Sequence, residues 1–309
     1  MEILKKFRIH LAVIAAITVI TSIYFMPAFS GKVLQQDDIQ IGVGKSKEIV
    51  DYRAENHKEP LWTNSMFGGM PAYQITGIPG TTFTIGILDQ LFTLNLPEPI
   101  GLFFLASICF YFLAQVLGFS TVIGIIGGLA YSYATYNPII VVVGHITKMH
   151  AIAYLPFFIG SILLIFQKKY YLGAICTAIA TTLFVQSNHL QINYYGLIIV
   201  LVMSVFYLVK WIQAKDFIHI YKTIGFSLVA GLMGLAVNAV MLIGTVVGWG
   251  FVTNTFASWL SWQGYFLGLI GGKDGEWAYS NIGVIFALLI GFFGHIILAK
   301  KTIAKQESV

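Results

Sequence analysis

Apolar residues occur in long blocks along this chain, separated by short polar connections. A helix that crosses a bilayer needs about 20 mostly apolar residues. Eight blocks meet or approach that length: 9–29, 97–117, 121–143, 151–166, 171–185, 192–209, 223–247 and 282–299. They predict an all-α polytopic membrane protein with about eight transmembrane helices, one transmembrane domain over residues 1–309. The fourth and fifth blocks are short, with only Gln167, Lys168, Lys169 and Tyr170 between them, so they read as a tight helical hairpin. The first block has small residues at Ala28 and Ser30, where a signal peptidase would cut. Its apolar core exceeds the roughly 7–15 residues of a cleaved leader, and it reads as an uncleaved anchor.

Composition agrees with the pattern. The chain is 57% hydrophobic and 10% charged, with a mean hydropathy of +0.80, outside the soluble globular range. Its formal charge of +5 does not point to nucleic acid, because the basic residues cluster at the ends of apolar blocks. Cys109 and Cys176 both lie inside apolar blocks and predict neither a disulfide framework nor a metal site.

The lysines and arginines set an orientation. With the N-terminus in the cytoplasm, the cytoplasmic pieces hold Lys5, Lys6, Arg8, Lys168, Lys169, Lys210, Lys215, Lys222, Lys300, Lys301 and Lys305, while the short exterior loops hold Lys148 and Lys273. This is the positive-inside distribution, with both termini cytoplasmic. It also decides how the run at 251–270 is read. A full crossing there would place Lys300, Lys301 and Lys305 outside, so the segment 248–280 reads as re-entrant or interfacial, anchored by Trp249, Trp259, Trp262 and Trp277.

On that topology the polar chemistry collects on the exterior side. The first exterior loop, 30–96, begins with Asp37 and Asp38 close to the membrane surface. In an extended segment adjacent side chains point to opposite faces, so one of the two faces the membrane. A carboxylate there can act as a general base on a hydroxyl, or the pair can ligate a divalent cation, Mg or Mn; a solvated loop pair is the plain alternative. Residues 45–58 read as an amphipathic surface helix with Lys47 and Asp51 spaced i,i+4. The following stretch, EPLWTNSMFGGMPAYQ, combines turn residues with Trp62, Phe67 and Tyr73 and with Asn64, Ser65 and Gln74. Such residues suit either a carbohydrate subsite or an aromatic belt closing the loop on the membrane.

Two further exterior segments are polar. His145, Lys148 and His150 lie at the mouth of a span; histidines five apart do not share a helix face as a metal pair would, and the set suits a phosphate or pyrophosphate, or a snorkelling lysine with interfacial histidines. Asn188, His189, Gln191 and Asn193 precede Tyr194 and Tyr195 at another span junction. A cluster of that kind walls a site or hydrogen-bonds between helices.

The stretches VLQQDDI, EPLWTNSMFGGMPAYQ, GHITKMHAIAYLP and NHLQINYY, in this order and between these spans, resemble the YfhO-like family of bacterial membrane proteins over residues 5–238. That family is similar to the C-type glycosyltransferase superfamily. The resemblance implies a multi-span enzyme of the bacterial cytoplasmic (inner) membrane that moves a sugar from a polyprenyl-phosphate carrier to an extracytoplasmic glycan or protein acceptor. It maps the catalytic acid onto Asp38, with Asp37 its neighbour, and donor-phosphate binding onto Lys148, His145 and His150. Trp62, Asn64, Tyr73, Asn188, His189 and Gln191 are then expected to line the site. Leu190 stands where the family carries Pro, and the pattern is not followed beyond Asn238, so the chain is expected to be a shortened member. Two other readings stay open: a non-catalytic member that binds carrier lipid or a partner, and a lipid or solute transporter. The latter would place polar residues at mid-membrane and repeat internally; Asn238 is the main such residue and no repeat is visible.

Overall fold

In a computed structural model of the chain, the residues described are 2–66, 68–76, 83–239 and 242. The chain divides into the units Met1–Gly244 and Thr245–Val309, and every described residue belongs to the first. The eighth expected span, 282–299, and the segment 248–280 lie outside the described residues.

Among the described residues, the regular structure is helical apart from one small hairpin. Helix α1 (Glu2–Tyr24) is followed by the short α2 (Met26–Phe29), and Pro27, with no N–H to donate, sits in the first turn of the latter. The first loop then carries α3 (Asp37–Asn56), β1 (Trp62–Thr63), β2 (Met70–Pro71), α4 (Tyr73–Thr76) and α5 (Phe83–Phe92). The strands are antiparallel, with Trp62 opposite Pro71 and Thr63 opposite Met70. Next come α6 (Ile100–Val116), α7 (Thr121–Ser132), α8 (Tyr136–Val143), α9 (Ile146–Phe166), α10 (Tyr170–Gln186), α11 (Leu190–Gln213) and α12 (Phe217–Val237).

Four of these helices are long and apolar enough to cross a membrane: α1 from Phe7, α9, α11 and α12. A fifth span is formed if α7 and α8 count as one, bent by 43° across a three-residue break at Tyr133, Ala134 and Thr135, with Pro138 in the second half. Helices α6 and α10 are apolar but only 17 residues each, about 25 Å at roughly 1.5 Å per residue against a hydrocarbon core of about 30 Å. The described helices occupy the first seven apolar blocks, with shifted ends. The structure corrects two expectations about the polar segments. Helix α9 starts at Ile146, so Lys148 and His150 belong to its first turns. Helix α3 starts at Asp37, eight residues before the surface helix expected from the pattern, so Asp37 and Asp38 open a helix and are not extended. Two carboxylates in a first turn favour that outcome, since they complement the positive end of the helix.

Helix α9 is the centre of the bundle. Buried residues make up 78% of its membrane window against 17–22% for α1, α11 and α12, which identifies it as the helix the others surround. Its Met149, Ala153, Tyr154, Phe157, Ile162 and Leu163 pack with Leu102, Phe103 and Ala106 of α6 and Leu183 and Phe184 of α10. Close approach comes from small residues: a Cβ on Gly128 of α7 would lie 2.5 Å from the Ser107 carbonyl oxygen of α6, the small-residue contact by which lipid-embedded helices pack.

At the far end of α9 a buried histidine ties three helices together. His219 of α12 donates from Nε2 to the Phe166 carbonyl at 3.0 Å, which leaves Nδ1 to accept the Tyr170 hydroxyl at 2.6 Å. Asp216 caps the same helix through the His219 N–H and pairs with Lys168 at 2.6 Å.

Candidate functional site

Helix α3 lies with its N-terminus against the corner between α8 and α9. Gln36, the extended residue before the helix, donates from Nε2 to the Val141 carbonyl at 2.5 Å, near the end of α8. Gly144 follows with φ +107°, and a Cβ there would sit 3.2 Å from Cβ of Asp38, 3.3 Å from Cβ of Gln36 and 3.3 Å from Cγ1 of Ile39. Glycine is required twice over, by the left-handed backbone and by the closeness of α3. The glycine-permitted turn then delivers His145, whose Nδ1 is 3.2 Å from Oδ2 of Asp38. Gly144→Ala is accordingly expected to displace the α3 N-terminus and to cost about 1–3 kcal/mol through backbone strain and overpacking. Thermal melting together with cross-linking between cysteines placed at Gln36 and Val141 checks this; unchanged melting with unchanged cross-linking contradicts it.

Both members of the Asp38–His145 pair are half-exposed, at 42% and 49%, so solvent reaches them and the pair adds little to stability. Lys148, one turn along α9, places Nζ 5.1 Å from the centroid of the Tyr136 ring. The corner between α10 and α11 completes the cluster. Asn188 takes a left-handed conformation, φ +53°, at the end of α10, and His189 precedes the first turn of α11. Burial, then the charges of Lys148 and His145, hold the His189 imidazole below its ordinary value of 6.5. Asp38, His145, Lys148 and His189 thus gather at one end of the bundle, where α9 and α11 both begin and direct their positive ends.

The remaining expected site residues lie elsewhere. His150 turns to a different carboxylate: its Nε2 is 3.6 Å from Oδ1 of Asp89 on α5, and the Tyr154 hydroxyl donates to the same oxygen at 2.5 Å. Burial opposes the Asp89 charge, but the hydrogen bond and charge of His150 and the Tyr154 hydroxyl outweigh it and hold the carboxyl below its ordinary 3.8. Asn64 is held by its backbone to the second half of α3. Glu48 accepts the Thr63 hydroxyl at 2.5 Å and the Asn64 N–H at 2.9 Å, and Ser65 donates to the Lys45 carbonyl at 2.8 Å. Glu48 is ten residues beyond Asp38, about 15 Å along the helix. The indole of Trp62 covers Gly69, whose Cβ position would be 2.6 Å from Nε1. The stretch from Glu59 to Gln74 therefore clasps α3, an arrangement extended by Arg53, which reaches Glu59 at 2.6 Å and Thr76 at 3.0 Å. Tyr73 opens α4. Gln191 donates to the Tyr195 hydroxyl at 2.8 Å along α11.

Among the described residues no three His, Cys, Asp or Glu side chains come together in a ligand set. The group beside Asp38 is an imidazole, whereas Mg and Mn favour carboxylate, carbonyl and water oxygens. No step below is routed through a metal.

Three contributors were not visible as site residues in the sequence: Gln36, which docks α3; Asp89, the lone acid of the apolar helix FTIGILDQLF; and Tyr154, fully buried within α9. No family model, no curated protein and no solved structure matches the chain.

Proposed function

We propose that this chain is a membrane glycosyltransferase that moves a sugar from a polyprenyl-phosphate carrier to an extracytoplasmic acceptor, with the Asp38 cluster as its centre. The observation that carries the reading is the pairing of a solvent-reached carboxylate, Asp38, with His145 at the start of α9, an apolar helix whose first turn also holds Lys148. A carrier lipid presents its phosphate at that depth while its isoprenoid tail stays in the hydrocarbon. On the orientation drawn from the lysines, this end of the bundle faces outward, and the reading keeps the eight apolar blocks of the sequence as its spans.

In this reading Asp38 takes the proton of the acceptor hydroxyl as its oxygen attacks the anomeric carbon. The bond between that carbon and the phosphate oxygen breaks, the electron pair leaves with the phosphate, and the lipid phosphate stays paired with Lys148. His145, 3.2 Å from Asp38, holds the carboxylate in place. The transporter reading loses its main support, because Nδ2 of the buried Asn238 donates to the Thr182 and Gly234 carbonyls at 3.0 Å each and acts as a link between α10 and α12.

The test is binding of polyprenyl phosphate to the full chain in nanodiscs. Lys148→Met is expected to weaken binding about tenfold, as loss of one charge-assisted contact to a phosphate does. Equal binding by the variant and the parent removes the phosphate from this end of the bundle.

A further inference from the structure

The start of α11 holds two polar side chains that the proposed chemistry does not use, His189 just before the helix and Asn193, whose N–H donates to the His189 carbonyl at 3.2 Å. Asn193 is 8% exposed, and neither its Oδ1 nor its Nδ2 has a hydrogen-bond partner among the described residues. Nδ1 of His189 is likewise buried and unpartnered there. Residues four apart share a helix face, with Cβ atoms about 5–6 Å apart. Helical side chains also tilt toward the N-terminus, so Asn193 projects back over the turn of His189, toward the Asp38 end of the bundle. Buried amides in native proteins are nearly always paired, and a leucine at this depth would avoid the penalty of an unpaired one.

The chemistry of the orphaned atoms selects a ligand. A phosphate oxygen only accepts, so it would satisfy Nδ2 and leave Oδ1 facing an anion. An uncharged imidazole at His189 offers one N–H and one lone pair as well. A group that donates and accepts from neighbouring atoms meets both, and two adjacent hydroxyls on a sugar ring are such a group. The geometry points to Asn193, with His189 beside it, as the residue that binds a vicinal diol of the transferred sugar, Oδ1 accepting from one hydroxyl and Nδ2 donating to the next. The phosphate of the same donor lies at Lys148 and His145. This rests on the transferase reading above and adds the residue that selects the sugar.

The experiment compares the full chain in nanodiscs with its Asn193→Leu variant. It measures the affinity of bare polyprenyl phosphate, of polyprenyl-phosphate mannose, glucose and galactose, and of the soluble methyl hexosides, together with thermal melting without ligand. The parent protein is expected to bind one sugar-bearing carrier more tightly than the bare one. The variant is expected to lose about tenfold in affinity for that donor alone, with a melting temperature no lower than the parent's. Donors lacking one ring hydroxyl at a time should show the same loss on the parent protein at two adjacent positions, a readout that needs no mutation. Asn193-dependent binding of a methyl hexoside with no carrier attached would place the diol on the acceptor. If the sugar adds nothing to carrier affinity, or the variant melts lower while binding both carriers as the parent does, Asn193 is a structural link and the inference falls while the phosphate site stands. If neither carrier binds the parent protein, the transferase reading fails first.

Discussion

Asp38→Asn is expected to lower the rate of sugar transfer by about 10²–10⁴-fold, the range typical of a lost general base, while affinity for the carrier phosphate holds. The amide has the shape of the carboxylate but cannot take the acceptor's proton. The fold should tolerate the change, because the ion pair lost among the described residues is the half-exposed one with His145, worth roughly 0–1 kcal/mol. Asp37→Asn is the internal control. Its side chain points about 100° away around α3, so its effect on rate should be small. The expected signature is a fall in kcat with little change in KM for Asp38→Asn alone. Equal losses in the two variants, or none in either, would separate the carboxylates from the chemistry.

A second large effect on stability is expected at Asp89. Asp89→Leu strands the hydroxyl of Tyr154, which is 1% exposed, and takes away the partner of His150. An unpaired buried donor costs about 1–3 kcal/mol, a change of about 5- to 150-fold in the folding equilibrium. Because the penalty belongs to the stranded hydroxyl, the double variant Asp89→Leu with Tyr154→Phe should recover most of it. The pH dependence has a defined sign. The folded-state pKa of Asp89 is depressed below its ordinary 3.8, so its contribution is present above that value and is lost as pH falls through the folded pKa. Melting followed into acid should show a decline below about pH 4 in the parent protein that Asp89→Asn lacks. A double variant no more stable than the single one, or identical acid profiles, contradicts this account of how α5 is held to α9.

The placement of the helices was largely legible, because seven apolar blocks of near-membrane length leave little freedom in what they become. What was hidden came from tertiary context. His145 to His150 reads as a polar loop, yet the first turns of α9 tolerate Lys148 and His150, since a helix beginning at the membrane boundary can keep polar groups near water. Asp37 and Asp38 read as a loop pair, although two acids followed by a half-apolar run also mark the start of a helix. The pairing of Asp38 with His145 spans 107 positions and that of Asp89 with Tyr154 spans 65, and no local pattern encodes either. Asp89 did carry a signal: an acid alone in an apolar ten-residue helix is costly unless something pairs with it. The aromatic stretch from Glu59 to Gln74 shows the reverse, chemistry-bearing residues whose Thr63, Asn64 and Ser65 are engaged in holding α3.

Donor turnover by the intact protein tests the central claim most directly. Purified membranes carrying the chain would be given a panel of radiolabelled polyprenyl-phosphate monosaccharides, and both the released carrier phosphate and the labelled acceptor would be followed. The account predicts that at least one donor is consumed and that its label appears on an acceptor accessible from the exterior face. Binding of the carrier with no donor consumed would contradict it, leaving a lipid-binding protein whose Asp38 cluster holds a phosphate without breaking a bond.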